Sequence, residues 1–301
     1  MIKRIANLAR LAAVLEVSSR KPGNVGPEHD FPDTTYEDFI AGSIAIGEGI
    51  GISAENGFRA GKGEIDIDEI GIGDSILKCI SDVKESHGGG NTHLGMVMLF
   101  VPIAAGAGLC IGRGKDLKME VGDSVRDGLR DSVIEVLGNS TREDSERLYD
   151  AIELSDVSGL GKLLRKEMPF HELMKNSLKK DTIAEELSEG MPIVFERGVP
   201  ALDRNRERAG DLRKAVTQTY LELLAEFPDT FIARKLSMED AEGVSKKAKE
   251  MVEKGGIFTE DGIRAVEDFD NFLRNSEKKL NPGTTADLVA ASLFVWLLFC
   301  S

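Results

Sequence analysis

The chain has 301 residues, 41% of them hydrophobic, which is enough for a sizeable core. Its 52 acidic residues outnumber 38 basic ones, giving a formal net charge of −14. That balance excludes the broad basic surface needed to bind nucleic acid or an anionic membrane. A small anionic substrate remains compatible, because Mg²⁺ held by carboxylates can bridge an acidic protein to phosphates.

Length alone suggests about two domains at roughly 150 residues each. No Pro/Ser-rich linker or low-complexity tract interrupts the chain, so one continuous domain, 1–301, is expected. The three cysteines, Cys79, Cys110 and Cys300, are odd in number and far apart. They suggest no disulfide framework, and the N-terminus is short on the continuous apolar residues of a signal peptide, so a cytoplasmic protein is expected.

Helix signals dominate. Ile2, Ile5, Leu8, Leu11 and Leu15 recur at helical spacing and predict a first helix ending near Ser18. Thr34-x-x-Glu37 reads as a capping box opening a second helix toward Gly47. Glu64 to Asp68 alternates and supports at most a small ribbon. Gly73 to Ser86 reads as a third helix. Leu94 to Ile111 is an uncharged apolar run entered through His87-Gly88-Gly89-Gly90-Asn91-Thr92-His93. Asn91 or Thr92 can cap it, and its first N–H groups would then face one spot suited to phosphate. Ser140 or Thr141 starts a further helix. Asp181 precedes another that stops at Gly190, and Lys214 to Phe227 closes at Pro228. Ser237-x-x-Asp240 caps a helix to Lys254, Thr259 starts one through Arg274, and Asn281-Pro282-Gly283 leads into the last. Leu94 to Ile111 reaches the length of a membrane span, about 18 residues, but holds Pro102 and three glycines. It and the shorter Leu288 to Cys300 are expected to be buried core helices. The fold class is all-α: a multihelical single domain with a buried central helix.

Four places hold the residues for chemistry. In the first, Pro22-Gly23 forces a turn that presents Lys21, a point charge for phosphate, and Asn24, with His29 and Asp30 just beyond. No histidine precedes His29, which argues against a His…His-Asp…Asp metal phosphohydrolase. The second is the glycine loop, where His93 can exchange a proton near neutral pH or serve as a hydrogen-bonding residue at a helix start. A His87/His93 zinc pair lacks further ligands. Third, Glu48 lies between two glycines and is either a solvated turn residue or a ligand. Fourth are Asp229-Thr230 and Pro282-Gly283-Thr284-Thr285-Ala286-Asp287. Asp229 suits a cap, whereas Asp287 opens an apolar helix and needs a polar pocket or a partner.

Lys21-Pro22-Gly23-Asn24-Val25 with His29-Asp30, Asn91-Thr92-His93-x-Gly95, Asp229-Thr230 and Pro282-Gly283-x-x-Ala286-Asp287-Leu288 resemble, in order, the motifs of the triphosphoribosyl-dephospho-coenzyme A synthase family. The resemblance spans nearly the whole chain and implies an all-helical enzyme. Such enzymes bind ATP and transfer its triphosphoribosyl group to the ribose 2′-hydroxyl of dephospho-coenzyme A, releasing adenine. It implies Mg²⁺, with metal ligands among Asp30, Glu48, Asp229 and Asp287. Lys21, Asn24, Gly90, Asn91 and Thr92 would bind the nucleotide, and His93, His29 and Asp30 would be catalytic. Leu94 stands where the better-known members carry lysine, and Asn24 where they tend to carry leucine, marking a divergent branch similar to archaeal members. Two other readings are an N-glycosidic hydrolase of the ADP-ribosyl type and a non-catalytic nucleotide-binding protein. The acceptor and the choice between monomer and homo-oligomer are left open by the sequence.

Overall fold

The structure, a computed structural model, describes residues 2–90, 92–115, 117, 123–155, 164–177, 181–276, 278 and 280–300. Among these, fifteen α-helices follow one another. They are α1 (Ile2–Val17), α2 (Tyr36–Ala45), α3 (Gly47–Gly61), α4 (Ile72–Ser86), α5 (Leu94–Gly112), α6 (Asp123–Gly138), α7 (Arg142–Ser155) and α8 (Phe170–Lys175). The remainder are α9 (Thr182–Glu189), α10 (Val199–Ala209), α11 (Leu212–Glu226), α12 (Thr230–Lys235), α13 (Met238–Glu253), α14 (Glu260–Asn275) and α15 (Gly283–Cys300). No strand occurs among the described residues, only two isolated bridges, Gly26 to His29 and Phe31 to Thr34.

Most helix starts follow from local side chains. Asp181, Asp211, Ser237 and Thr259 accept backbone N–H bonds at the heads of α9, α11, α13 and α14. The second helix departs from expectation by one residue: its capping box is Thr35 with Asp38. Thr34 is tied back to Phe31 by reciprocal backbone bonds of 2.9 and 3.3 Å, so the cap moves on to Thr35. The alternating run Glu64 to Asp68 forms no ribbon. Asp66 caps a short 3₁₀ turn, Ile67–Glu69, and its own N–H donates to the Glu69 carboxylate at 2.8 Å. Local side-chain bonding overrides the alternation.

Buried residues from Ile5 to Leu298 form one hydrophobic cluster. Helices α5 and α15 run through it and touch at Phe100 and Phe294, whose ring centroids are 4.9 Å apart. Both are long and apolar enough to cross a membrane. However, 83% and 72% of their apolar stretches are buried inside the protein, which makes them core helices. Their N-termini are brought together, and that positions the site.

Candidate active site

A cavity of about 1270 Å³ opens between the starts of α5 and α15, the end of α1, and helices α7, α8, α9 and α12. Three of the four sequence motifs reach its wall, through Lys21 and Asn24, through Thr92 and Gly95, and through Asp287; the Asp229-Thr230 motif lies beside it.

The Lys21-Pro22-Gly23-Asn24 turn is held from three sides. Tyr220 of α11 donates its hydroxyl to the Pro22 carbonyl at 2.8 Å. Asp270 of α14 accepts the Gly23 N–H at 2.7 Å, and Arg274 donates to the Asn24 carbonyl at 2.6 Å. Gly23 sits at φ +76°, and a Cβ there would meet Leu273 Cδ1 at 2.8 Å and the Leu280 carbonyl at 2.9 Å. Only glycine suits the position. Asn24 Nδ2 donates to the Pro282 carbonyl at 3.0 Å, joining the first motif to the last.

Lys21 lies on the cavity wall but is buried and already engaged. Its Nζ donates to the carbonyls of Glu16 and Ser19 at 2.7 and 3.1 Å and lies 3.1 Å from Glu16 Oε1. Three donors meet three oxygens, so Lys21 anchors Glu16 rather than standing ready for phosphate. Glu16 is the wall residue that motif reading missed. Its carboxyl is buried, and burial pushes its pKa up against the pull of the Lys21 ammonium beside Oε1. A signal was present in the sequence: Glu16 falls on the apolar stripe of α1 with Ala9, Ala12 and Ala13, where a carboxylate needs a reason.

The second motif corrects two expectations. His93, not Asn91 or Thr92, is the cap residue of α5, and its side chain makes no cap bond. Asn91 lies outside the described residues. His93 is 1% exposed and sits in a hydrogen-bond chain whose direction is fixed at both ends by backbone groups. The Gly89 N–H donates to His87 Nδ1 at 3.1 Å, and His87 Nε2 then donates to Thr92 Oγ1 at 3.2 Å. The single Thr92 hydroxyl hydrogen goes to His93 Nδ1. His93 Nε2 donates to Ser43 Oγ at 3.1 Å, and Ser43 donates to the Phe39 carbonyl at 2.7 Å. This polarity assigns both rings as neutral Nε2–H tautomers. Burial, then the neighbouring His87, lowers the His93 pKa to about 3. With both nitrogens bonded and no place on the cavity wall, His93 pins the start of α5 and is not positioned as acid or base.

The start of α5 instead meets a carboxylate from the last motif. Asp287 sets its carboxyl against Gly95 in the first turn of α5, so the fourth motif meets the helix that the second motif opens. Gly95 makes this possible: a Cβ there would lie 2.1 Å from Asp287 Oδ2. The Asp287 carboxyl therefore stands at the helix N-terminus where the sequence suggested a phosphate. Burial raises the Asp287 pKa well above the usual carboxylate range, and Glu16, Asp229 and Asp181 add to it.

The other expected ligands are placed elsewhere. Asp229 is 1% exposed and does not line the cavity. Its Oδ1 accepts the N–H groups of Phe231 and Ile232 at 3.0 and 3.1 Å, while Oδ2 accepts the N–H and hydroxyl of Thr285, both at 2.8 Å. It caps α12 and clamps the start of α15, leaving no lone pair directed at a metal. Glu48 is exposed on α3 and pairs with Lys78 at 2.9 Å. Asp30 is exposed and accepts the Tyr36 N–H at 2.8 Å, at the start of α2. His29 lies at the surface 3.8 Å from Asp270, and the Gly90 N–H donates to the Asp33 carbonyl at 3.3 Å. None of these four lines the cavity. Among the described residues no group of three or more His, Cys, Asp or Glu forms a metal cage.

Two further wall residues had no sequence signal. Arg234 of α12 donates to Asp181 at 2.7 Å while its buried Nε has no acceptor among the described residues. Asn281 Oδ1 is likewise without a partner. Buried polar atoms are ordinarily satisfied, so Arg234 Nε and Asn281 Oδ1, both left open on residues of the cavity lining, point to a polar ligand. Leu94, 6% exposed, lines the same wall.

The chain matches the ATP:dephospho-CoA triphosphoribosyl transferase family (CitG) over residues 2–300. It is 26% identical over 220 residues to 2-(5''-triphosphoribosyl)-3'-dephosphocoenzyme-A synthase of Klebsiella pneumoniae, covering 73% of this chain and 65% of that protein's length. To the synthase of Escherichia fergusonii it is 24% identical over 304 residues, covering 97% of this chain and 90% of the relative. A crystal structure from Archaeoglobus fulgidus bearing the triphosphoribosyl-dephospho-CoA synthase name shares the fold. Its TM-score is 0.58 at 22% identity, over 86% of this chain and 97% of the other. The chain belongs to the ATP:dephospho-CoA triphosphoribosyl transferase family.

Proposed function

We propose that this protein transfers the triphosphoribosyl group of ATP to a hydroxyl of dephospho-CoA or a related nucleotide acceptor, releasing adenine. The observation that carries this reading is the meeting of Asp287, Gly95, Thr92, Asn24 and Lys21 on one cavity of about 1270 Å³. Pockets for one drug-sized ligand measure about 300–1,000 Å³, so the space suits two substrates and favours transfer over hydrolysis of a single nucleotide.

The reaction breaks the bond from the ribose anomeric carbon to adenine and forms one to the acceptor oxygen. Positive charge develops at that carbon, and a nearby carboxylate stabilises it, as in glycoside transfer. We assign this role to Asp287, which stands on the cavity lining against the first turn of α5. Arg234, with Nε lacking an acceptor among the described residues, is a wall cation with a donor to offer the triphosphate. Mg²⁺ keeps several waters and takes one or two carboxylates plus substrate phosphates, which fits Asp287 and Glu16 without an all-protein cage. Bound there, it would neutralise triphosphate charge. Buried thiols at Cys79 and Cys110 accord with a reducing cytoplasm as the setting.

Calorimetric titration with ATP and Mg²⁺ tests this reading. Wild-type protein is expected to bind, and Asp287→Asn to bind at least about tenfold more weakly, the scale of one lost charge-assisted contact. The variant should melt no lower. A folded-state pKa raised above the unfolded value means that the stabilising contribution is complete below the unfolded pKa and lost as pH rises through the folded one. Above the unfolded carboxyl's range this side chain therefore costs stability that asparagine does not. Absence of any nucleotide binding by the wild type would defeat the reading.

A further inference from the structure

Part of the cavity lining is apolar and comes from α7, α8 and α5. Leu148 and Ile152 of α7, Leu173 and Met174 of α8 and Met98 of α5 line it. Its rim is strapped in place. The Tyr149 hydroxyl accepts the Lys166 N–H at 3.1 Å, and Arg165 pairs with Asp150 and Glu153 at 2.8 Å each. These bonds lay residues 164–166 along α7 and set Lys166 on the cavity lining, which Lys175, at the end of α8, also joins. Both lysines are exposed, and among the described residues neither forms an ion pair, although the chain carries a net charge of −14. In so acidic a protein, two ammonium groups without a carboxylate partner among the described residues, lining an apolar recess, suit a ligand with an anionic group and a neutral extension.

We propose that this limb is the acceptor subsite: it takes the pantetheine arm of a coenzyme-A-type acceptor, while Lys166 and Lys175 hold the diphosphate joining that arm to the nucleoside. The inference rests on the transferase reading for the identity of the acceptor. The arm is long, uncharged and mixed in character, with a dimethyl carbon and two amides, and it suits a wall of branched aliphatic and methionine side chains. Methionine adapts its shape to such ligands. Asp287 and Glu16 line the same cavity, so an acceptor held there by its arm shares one continuous space with them.

The test is calorimetric titration of wild type, Lys166→Ala/Lys175→Ala and Ile152→Gln with dephospho-CoA, pantetheine 4′-phosphate and ATP with Mg²⁺. The lysines are exposed and Ile152 is only partly buried, so both variants should fold. Each is expected to raise the Kd for dephospho-CoA about tenfold and to leave that for ATP unchanged. Unaltered dephospho-CoA affinity in both variants, with ATP still bound, would overturn the subsite and spare the transferase reading. Pantetheine 4′-phosphate bound by the wild type, weakened in both variants, with no ATP bound at all, would support the subsite and defeat the transferase reading.

Discussion

Gly95→Ala is expected to lower turnover about a hundredfold, the cost of displacing a reacting group by about 1 Å. By helix propensity alone the change should stabilise α5, because alanine is favoured over glycine inside a helix by about 1 kcal/mol. The local packing reverses that. A Cβ at Gly95 would lie 2.1 Å from Asp287 Oδ2 and 2.9 Å from Cγ, against 3.4–4 Å for ordinary contact. Asp287 has a short side chain on a helix whose neighbours Ala286 and Leu288 are buried, so it cannot retreat without moving its carboxyl from the start of α5. The loss should fall on kcat, with a stability change within about 1–3 kcal/mol, the usual cost of overpacking. Steady-state rates together with thermal melting separate the two effects. Full turnover by Gly95→Ala would show that the Asp287 position does not matter to the chemistry.

Asp229→Ala is expected to act in the opposite way, destabilising the fold by about 3 kcal/mol. It orphans three backbone N–H groups and the Thr285 hydroxyl, and it uncaps α12 at its first turn. Removing a carboxylate whose pKa is raised by burial returns part of the loss, because the charged form was costly to desolvate. The residual 3 kcal/mol is a large share of a stability of about 5–15 kcal/mol. Chemical denaturation checks it. An Asp229→Ala protein of native stability that fails to bind nucleotide would make Asp229 a ligand after all.

These two aspartates show what sequence can and cannot reveal. Both sit in polar motifs beside a helix start, and by residue type alone they are equivalent. Their roles separate only through partners distant in the chain: Asp229 meets Thr285, 56 residues away, and Asp287 meets Gly95 and Met96 of another helix. His93 is a similar case, since Ser43, 50 residues earlier, fixes its tautomer. The elements themselves were legible wherever a local cap defines them, as at Asp181, Ser237 and Thr259. They shifted or failed where a nearby turn competed, as at Thr34 and at Asp66. In the site, Lys21, Asn24, Thr92 and Asp287 were legible from motif order. Glu16 was visible as a carboxylate on an apolar stripe, whereas the pairing of Arg234 with Asp181 had no local trace.

A single geometric idea joins these results: two core helices begin at the same place, and the glycine of one leaves room for the carboxylate of the other. Mass spectrometry of the products formed from ATP, Mg²⁺ and dephospho-CoA tests whether that place performs triphosphoribosyl transfer. The account predicts free adenine and an equal amount of acceptor made heavier by one triphosphoribosyl group. Adenine accompanied by ribose 5-triphosphate and unchanged acceptor, or bound ATP with no adenine released, would contradict it.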